Sequence, residues 1–318
     1  MRWLLVLVVA CGPAPQAAVS EPAYPPIAAD PDPPRPAFDP TRAGQVVDRL
    51  TDFAFDGGRI EIEMRRDGDR VYEVARNHYA VPIVVEWQVT ELSNLEPLAP
   101  AAGVTILPAA PRPDGDGAPV ALTTLQIVDP TAAYHRVVLL HERFGDPAAR
   151  PAPYAYRLPY TTGKTFSVLQ GFHGAFSHRG SNEYAVDFDC PVATHVVAAR
   201  DGLVVAANAA AQGSGQTPDF LEYRRTNFVI VLHDDGTLGE YMHLSPSGIL
   251  VQPGQRVRRG DELALSGNTG FSSTPHLHFQ VMTAGDDGRS ARSFPFRIAV
   301  APNVVEEPVQ GRSYRAWE

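Results

Sequence analysis

The sequence predicts an all-β protein built from two successive β domains. Residues 45–155 alternate polar and apolar side chains with a period of two and show no convincing helical pattern, which is typical of half-exposed strands. From residue 156 to about residue 300, short apolar segments alternate with glycine-rich turns, and this pattern also favours strands. A chain of 318 residues usually forms two domains. We therefore expect an N-terminal β-sandwich of immunoglobulin-like type, followed by a second β domain.

The first eleven residues, MRWLLVLVVAC, have the features of a secretion signal. A positively charged start precedes an apolar run that is far shorter than the roughly 20 residues needed to span a bilayer. The Val-Val-Ala segment before Cys11 resembles the lipobox of bacterial lipoproteins, in which the cysteine is lipidated and becomes the mature N-terminus. The resemblance implies a lipid-anchored envelope protein that faces the periplasm, at the outer rather than the inner membrane. If Cys11 is not lipidated, we expect a secreted protein.

Residues 12–44 are rich in proline, alanine and aspartate and contain almost nothing that could form a core. We expect this segment to be an extended linker. At about 3.1 Å per residue in polyproline II form, it would span several tens of ångströms. Such a linker would allow a lipid-anchored enzyme to reach a polymer that lies away from the membrane.

The N-terminal β domain, residues 45–155, begins with a hairpin pattern. Apolar residues alternate with charged ones over residues 60–64, and Asp67-Gly68 supplies a turn before the next strand. Further strands are predicted at residues 83–89, 120–128 and 137–140. Three histidines here share no spacing, and we expect them to be structural or surface residues: His78, His135 and His141.

The second β domain is assigned to residues 156–300, with residues 301–318 as a C-terminal tail. The stretch from Ala209 to Arg225 is polar, contains glycine and is longer than most loops, so we expect it to border a substrate groove. Cys190 follows an apolar strand, which favours the role of a small buried hydrophobe. The predicted strands are Tyr184–Phe188, His195–Ala207, Phe228–His233, Glu240–Leu244 and Pro275–Met282.

The motif PHLHFQV, residues 275–281, carries the most chemical information. On a strand, successive side chains point to opposite faces. His276 and His278 therefore project from one face, while the apolar residues between and after them anchor the strand from behind. Two imidazoles that face one cavity are candidates for metal binding or catalysis.

Two further segments supply companions for these histidines. In SHRGSNEYAVDF, residues 177–188, Asp187 lies on an apolar strand, where an unpaired carboxylate would be costly to bury. The polar segment before it contains glycine and could fold back to bring His178 to the same ion. In EYMHLS, His243 follows a strand and could line the same cavity, although a hydrogen-bonded structural role is the alternative.

Together these motifs resemble the lysostaphin-type (LytM-like) zinc endopeptidases. The resemblance runs from about Gly171 to Met282, through QGFHGAFSH, YAVDF, VVAARDGLVV, YMHL, GQRVRRGDELALSGNTG and PHLHF. It implies a compact antiparallel β fold with an open groove and one Zn²⁺ per chain. The implied zinc ligands are His178, Asp187 and His278, and the implied active-site histidines that do not bind the ion are His243 and His276.

The sequence also departs from the family pattern. Eight residues separate His178 from Asp187, where the family more often has a shorter spacer, so this assignment depends on a looped insertion. His173 is an alternative ligand nearby. Asp189 would share the face of Asp187 if the strand continued that far, either as an acid behind the ligands or as a solvated residue. Two other histidines are expected to have structural or surface roles: His195 and His233.

The implied ligand set is that of a catalytic centre. Three protein ligands leave the fourth position of tetrahedral zinc open for water, which is typical of catalytic rather than structural zinc. Zinc lowers the pKa of that water and polarises the scissile carbonyl. No HExxH motif occurs, so the resemblance assigns proton transfer to His243 and His276 jointly, without deciding which is the general base.

The predicted function is zinc-dependent endopeptidase action on the stem peptides or cross-links of bacterial peptidoglycan. One alternative is a non-catalytic envelope regulator that activates a cell-wall amidase, and another is a wall-binding module that uses the groove without cutting. A nucleic acid partner is not expected, because the net charge is −9 and no block of basic residues is present to bind phosphates.

Overall fold

The computed structural model describes residues 4–9, 44–51, 59–112 and 115–317. Strands account for 51 % of the described residues and helices for 4 %, which confirms the all-β prediction. Cys11 and nearly all of the predicted linker lie outside the described residues. Within the described ranges, no helix has both the length and the apolar character needed to cross a membrane.

The N-terminal part of the chain forms two antiparallel sheets. Its strands are β1 (Leu4–Val9), β2 (Gln45–Leu50), β3 (Ile60–Asp67), β4 (Arg70–Asn77), β5 (Ile83–Ser93), β6 (Leu95–Pro97), β7 (Ala102–Leu107), β8 (Val120–Ile127) and β9 (His135–Phe144). One sheet has the order β2-β3-β4-β8-β6 and the other has the order β1-β9-β5-β7. The predicted hairpin joins β3 to β4, and Gly68 at its turn has a φ of +61°, which glycine adopts without strain.

The two N-terminal sheets contribute to one hydrophobic core. Ile62 and Leu125 from the five-stranded sheet are buried in the same cluster as Val85 and Trp87 from the four-stranded sheet. A β-sandwich requires a core shared by two antiparallel sheets. The β-sandwich and its immunoglobulin-like type stay predictions. Strands β2 to β9 are called the N-terminal unit below.

Strand β1 lies within the predicted signal peptide. It pairs antiparallel with β9 at the edge of the four-stranded sheet. Cleavage ahead of Cys11 would remove β1 and leave β9 as the edge strand, whose free backbone groups could then pair with another strand.

The C-terminal part of the chain is dominated by one large sheet. Short 3-10 helices span Gly180–Asn182, Pro218–Leu221 and Tyr223–Arg225. The strands are β10 (Ala155–Tyr156), β11 (Thr165–Gln170), β12 (Val186–Phe188), β13 (His195–Val197), β14 (Gly202–Asn208), β15 (Ser214–Gly215), β16 (Phe228–Leu232), β17 (Leu238–Met242), β18 (Leu244–Ile249), β19 (Arg256–Val257), β20 (Glu262–Ser266), β21 (Gly270–Phe271), β22 (Leu277–Ala284), β23 (Ala291–Phe294), β24 (Arg297–Ala301), β25 (Val304–Glu306) and β26 (Ser313–Arg315). The large sheet has the order β19-β14-β16-β17-β22-β12-β11-β26, with β23 beside β22.

The two faces of the large sheet pack against different partners. Tyr241 and Phe279 belong to the C-terminal core on one face. Ile230 and Met282 point the other way and join the core of the N-terminal unit. Because side chains alternate along a strand, His278 shares the face of Met282. The candidate site therefore lies on the face that the N-terminal unit partly covers.

Two of the predicted strands are interrupted. The segment 195–207 forms β13 and β14 in different sheets, because the chain turns just before Gly202. A Cβ atom at Gly202 would lie 2.4 Å from the carbonyl oxygen of Leu232, so only glycine fits at this crossing. The segment 240–244 breaks at His243, whose φ of +62° ends one strand and begins another. The other predicted strands of this part are present with shifted ends.

Residues 301–318, predicted to be a tail, are part of the fold. Strand β25 pairs with β24, and β26 pairs with β11 as the last strand of the large sheet. Tyr314 in β26 is 3 % exposed, and its carbonyl oxygen accepts a hydrogen bond from the Tyr160 hydroxyl at 2.8 Å. The tail prediction was wrong because polar residues flank Tyr314 in the sequence, so no local pattern indicates that Tyr314 is buried.

Candidate metal centre

Asp187 and His278 lie beside each other on neighbouring strands of the large sheet. Strands β12 and β22 pair antiparallel with these two residues in register, and both side chains are buried. Nδ1 of His278 is 2.9 Å from Oδ1 of Asp187. Val186 and Phe188 point into the C-terminal core, which turns Asp187 towards the opposite face.

His178 reaches the same carboxylate from the loop before β12, so the looped insertion that the sequence required is present. Its Nδ1 is 2.8 Å from the carbonyl oxygen of Gly171, and its Nε2 is 3.1 Å from Oδ2 of Asp187. Because a carbonyl oxygen can only accept, Nδ1 carries a proton, and Nε2 is the ring nitrogen that faces the carboxylate. This Nε2 has no hydrogen-bond partner in the described part of the chain. Two acceptors at this distance need a proton or a metal ion between them.

The three side chains fit a zinc ion. The candidate ligand atoms of His178, Asp187 and His278 all lie within 4.8 Å of one another. Tetrahedral bonds of about 2.0–2.2 Å place ligand atoms about 3.4 Å apart, so the distances of 2.9 and 3.1 Å to the Asp187 oxygens would change little. Two imidazoles and one carboxylate are a ligand set that Zn²⁺ takes at sites with one open position.

The electrostatics of the centre also favour a cation. Burial raises the pKa of Asp187, but the imidazoles of His178 and His278 outweigh burial and hold this pKa well below its usual value. Burial lowers the pKa of His278, whereas the Asp187 carboxylate raises it, and the net shift is upward. Asp187 is therefore ionised at neutral pH, and its buried charge attracts a cation.

His243 and His276 lie beside this centre and have fixed tautomers. Nδ1 of His243 donates to the carbonyl oxygen of Thr269 at 2.7 Å, and Nδ1 of His276 donates to that of Thr274 at 2.7 Å. Each Nε2 therefore carries the lone pair. The two rings are 4.5 Å apart, and Nε2 of His276 is 3.7 Å from Oδ1 of Asp187. Burial lowers the pKa of both residues, to about 3 for His243, so both are neutral at pH 7.

Gln170, at the end of β11, joins Asp187 to the loop that carries His178. Its Nε2 donates to Oδ2 of Asp187 at 3.1 Å and to the Ser177 hydroxyl at 2.9 Å. Its Oε1 accepts from the backbone N–H groups of Phe176 and Ser177 at 2.9 and 3.1 Å. Gln170 was not predicted as a site residue, although it is the first residue of the segment QGFHGAFSH. Its role depends on contacts that exist only in the folded chain.

The centre opens into a groove of about 1040 Å³. Asp187, His243, His276 and His278 line it. Its wall includes three residues of the predicted long loop, 209–225, which confirms that this loop borders the groove. The loop residues are Phe220, Leu221 and Tyr223.

The rival ligand and the second carboxylate lie apart from the centre. His173 is exposed, and its Nδ1 is 3.3 Å from Oε1 of Glu183. Asp189 follows the end of β12, is exposed, and accepts a 3.5 Å hydrogen bond from the Ser167 hydroxyl. Asp189 is therefore the solvated residue of the two possibilities, and the set that converges is His178, Asp187 and His278.

The remaining candidates have structural or surface roles. His195 is exposed beside Glu262, with 3.0 Å between Nδ1 and Oε1. His233 is buried, and its Nδ1 is 3.1 Å from the Thr237 hydroxyl. Cys190 is fully buried, and burial raises the pKa of its thiol. Three histidines of the N-terminal unit do not line the groove: His78, His135 and His141.

Residues 181–290 match the family model described as Peptidase family M23. The chain carries an M23 peptidase domain. This confirms the resemblance to the lysostaphin-type (LytM-like) enzymes. Asp187, His243, His276 and His278 lie within the matched residues of the M23 domain, and His178 lies just before them.

Known proteins are similar in sequence to this part of the chain. The chain is 35 % identical over 121 residues to the peptidoglycan DD-endopeptidase ShyA of Vibrio cholerae, covering 38 % of this chain and 24 % of ShyA. It is 33 % identical over 143 residues to the murein hydrolase activator NlpD of Salmonella dublin, covering 45 % of this chain and 32 % of NlpD. A crystallised catalytic domain of lysostaphin from Staphylococcus simulans matches with 28 % identity and a TM-score of 0.29, over 41 % of this chain and 87 % of that domain. The matches thus cover less than a third of the length of these two curated relatives.

Proposed function

We propose that this protein is a zinc-dependent endopeptidase that hydrolyses peptide cross-links of bacterial peptidoglycan. The observation that carries the proposal is the convergence of His178, Asp187 and His278 at one point beside His243 and His276, in an M23 domain. The similarity to a peptidoglycan DD-endopeptidase supports a cell-wall substrate. The fixed tautomers of the two other histidines support catalysis, because each leaves a lone pair facing the site.

The roles of the side chains follow from these protonation states. His178, Asp187 and His278 would hold the zinc ion, which when bound supplies Lewis-acid polarisation of a peptide carbonyl and lowers the pKa of a coordinated water. Nε2 of His243 or His276 takes a proton from the water that attacks the carbonyl carbon. The same histidine then returns the proton to the leaving amine. The protonated ring also donates a hydrogen bond to the developing oxyanion. We assign these tasks to the two histidines jointly.

We also propose how the chain is arranged in the envelope. Residues 1–11 act as a signal peptide that ends in a lipidated Cys11, and residues 12–44 act as the linker. Residues 45–155 form the sandwich domain, and the peptidase domain begins near residue 156. Palmitate labelling of cells should mark the wild-type protein and not a Cys11→Ser variant. Equal labelling, or release of both proteins into the medium, would contradict the anchor.

The similarity to NlpD favours one second candidate, a non-catalytic activator of a cell-wall amidase. An activator works by contact with its partner, so it would retain function without metal. The two candidates therefore differ in whether zinc and its ligands are needed, which a direct test of the purified protein can decide.

The decisive experiment is digestion of purified sacculi with zinc-loaded protein, compared with a His278→Ala variant and a His195→Ala control. His195 is an exposed histidine outside the centre. We expect wild type and His195→Ala to digest sacculi and to bind about one zinc per chain, and His278→Ala to do neither. Digestion of sacculi by His278→Ala would overturn the proposal. A wild-type protein that digests sacculi only when an amidase is added would also overturn it. Mass spectrometry of the released muropeptides would identify the bond that is cut.

A further inference from the structure

One arginine of the N-terminal unit lines the same groove as the metal centre. Arg143 lies in β9, yet it borders the groove together with Asp187 and His278. Its guanidinium carbon is 5.5 Å from the centroid of the Tyr223 ring, which also lines the groove. This stacking holds the cation at the groove wall.

Arg143 has no salt-bridge partner among the residues that the structure describes. Its Nη1 donates to the backbone carbonyl oxygen of Glu142 at 3.0 Å, and no described carboxylate lies within salt-bridge distance. The guanidinium of Arg289, by contrast, pairs with Glu86. The edge of Arg143 formed by Nε and Nη2 thus remains open. This edge matches the two oxygens of a carboxylate.

Glu240, an acidic residue that lines the groove, already accepts hydrogen bonds from two neighbours. Glu240 is 1 % exposed and accepts hydrogen bonds from the Tyr223 hydroxyl and from Nε2 of Gln280, each at 2.6 Å. The pKa of Tyr223 lies well above its usual value, mainly because of burial and then because of the Glu240 charge, so the hydroxyl stays a donor. Both oxygens of Glu240 therefore accept hydrogen bonds, and Glu240 forms no salt bridge with Arg143 in the described part of the chain.

Gln280 connects this end of the groove to the metal centre. It lies two residues after His278 on the same face of β22, and it is 2 % exposed. Its Oε1 is a buried acceptor without a partner in the described part of the chain. A buried acceptor of this kind is costly unless a ligand completes it. The groove thus presents, in order, the metal ligands, an acceptor and a cation.

We propose that Gln280 and Arg143 form a substrate subsite for a peptide that carries a free carboxylate. Gln280 Oε1 accepts a hydrogen bond from a substrate N–H, and Arg143 binds the carboxylate. The inference rests on the proposed endopeptidase function and names its substrate class, which is anionic rather than neutral peptides. It also gives the N-terminal unit a part in substrate selection.

The test uses two synthetic cross-linked peptides that differ only in whether the carboxyl group nearest the scissile bond is a free acid or a primary amide. We expect wild type to cleave the acid peptide with a kcat/KM about 10-fold or more above that of the amide, because charge-assisted hydrogen bonds are worth this much. Arg143→Gln should reduce kcat/KM for the acid peptide about 10-fold and should change kcat/KM for the amide peptide much less. Arg143→Lys should give an intermediate value, because it keeps the charge without the planar edge.

Arg297→Gln is the matched control, because Arg297 is exposed and also donates to a backbone carbonyl, that of Val305 at 2.8 Å. The amide peptide reports folding, since an unfolded variant would lose both activities. Equal cleavage of both peptides by wild type, or an equal loss on both in Arg143→Gln, would overturn the subsite and leave the endopeptidase function standing. Failure of zinc-loaded wild type to cleave either peptide or sacculi would overturn both.

Discussion

Two clusters of buried charges in this protein are completed in different ways. In the N-terminal unit, Arg136 is 2 % exposed, and its Nε and Nη2 donate to the two oxygens of Glu73 at 2.7 and 3.3 Å. Its Nη1 donates to Asp48, whose other oxygen accepts from the backbone N–H of Arg49. The protein itself thus supplies a partner for each charged group of this cluster.

The buried polar groups of the metal centre are not all paired in this way. Nε2 of His178 and Nε2 of His278 are buried without a hydrogen-bond partner among the described residues. Nε2 of His178 lies 3.1 Å from the carboxylate of Asp187. Buried polar groups are normally paired in folded proteins, so a converging set that is not paired points to something bound. Burial of charge alone therefore does not mark a site, whereas incomplete pairing around one point beside a groove does.

The largest expected effect is loss of the anionic ligand. Asp187→Asn keeps the size of the side chain but removes its charge, so we expect bound zinc to fall from about one per chain to near zero. Activity on sacculi should fall by at least about 1000-fold, because the metal contributes several kcal/mol of transition-state stabilisation. Elemental analysis of the dialysed protein and release of soluble muropeptides measure the two effects.

Asp189→Asn is the control for this variant, because Asp189 is an exposed aspartate two residues away. It should keep both zinc and activity. An Asp187→Asn protein that retained a full equivalent of zinc would contradict the assignment of Asp187 as a zinc ligand.

The second prediction breaks the self-completed cluster. Arg136→Met leaves the carboxylate of Glu73 buried without its partner, so we expect the free energy of unfolding to fall by about 3–5 kcal/mol. The double variant Arg136→Met/Glu73→Leu should recover most of this loss, because neither charge then remains buried. Urea denaturation measures the stabilities, and zinc content should not change in any protein that stays folded. A loss below about 1 kcal/mol in the single variant would show that the cluster is not held as described.

The third prediction concerns the residue that supports the metal ligands. Gln170→Leu removes the hydrogen bonds to Asp187 and to the backbone of Phe176 and Ser177. Loss of such an outer hydrogen bond typically weakens metal binding about 10- to 100-fold. Competition with a chromophoric chelator measures the zinc Kd. Gln126→Leu is the matched control. Gln126 also donates to backbone carbonyls, but it lies in β8 of the N-terminal unit and does not line the groove. Equal Kd values for Gln170→Leu and wild type would exclude this positioning role.

Much of the site could be predicted from the sequence because its determinants are local. Alternation along a strand placed His276 and His278 on one face, and the apolar neighbours of Asp187 made a buried carboxylate expected. The spacing of the motifs in the resemblance supplied His178 and His243. The candidate ligand atoms of His178, Asp187 and His278 lie within 4.8 Å of one another in the folded chain.

The parts that sequence did not predict depend on contacts between distant segments. Gln170 gains its role only when the ligand loop folds back over β11, and Arg143 enters the groove only because two units pack together. Tyr314 is buried by pairing of the last strand with β11. None of these residues stands in a local pattern that differs from an ordinary polar or surface segment.

The smallest expected effect concerns His233, which does not line the groove. Its Nε2 is nevertheless buried without a partner among the described residues, as at the metal centre. Burial, followed by the charge of Arg200, lowers the pKa of His233 to about 3. The unfolded chain has a histidine pKa near ~6.5, so stability is complete above that value and is lost as the pH falls towards 3. Between pH 7 and pH 5 this residue should cost about 2 kcal/mol. Urea denaturation of zinc-free wild type, His233→Gln and the exposed control His195→Gln at both pH values isolates this loss. We expect the loss to shrink only in His233→Gln, and an unchanged loss would mean that His233 is not held neutral by burial.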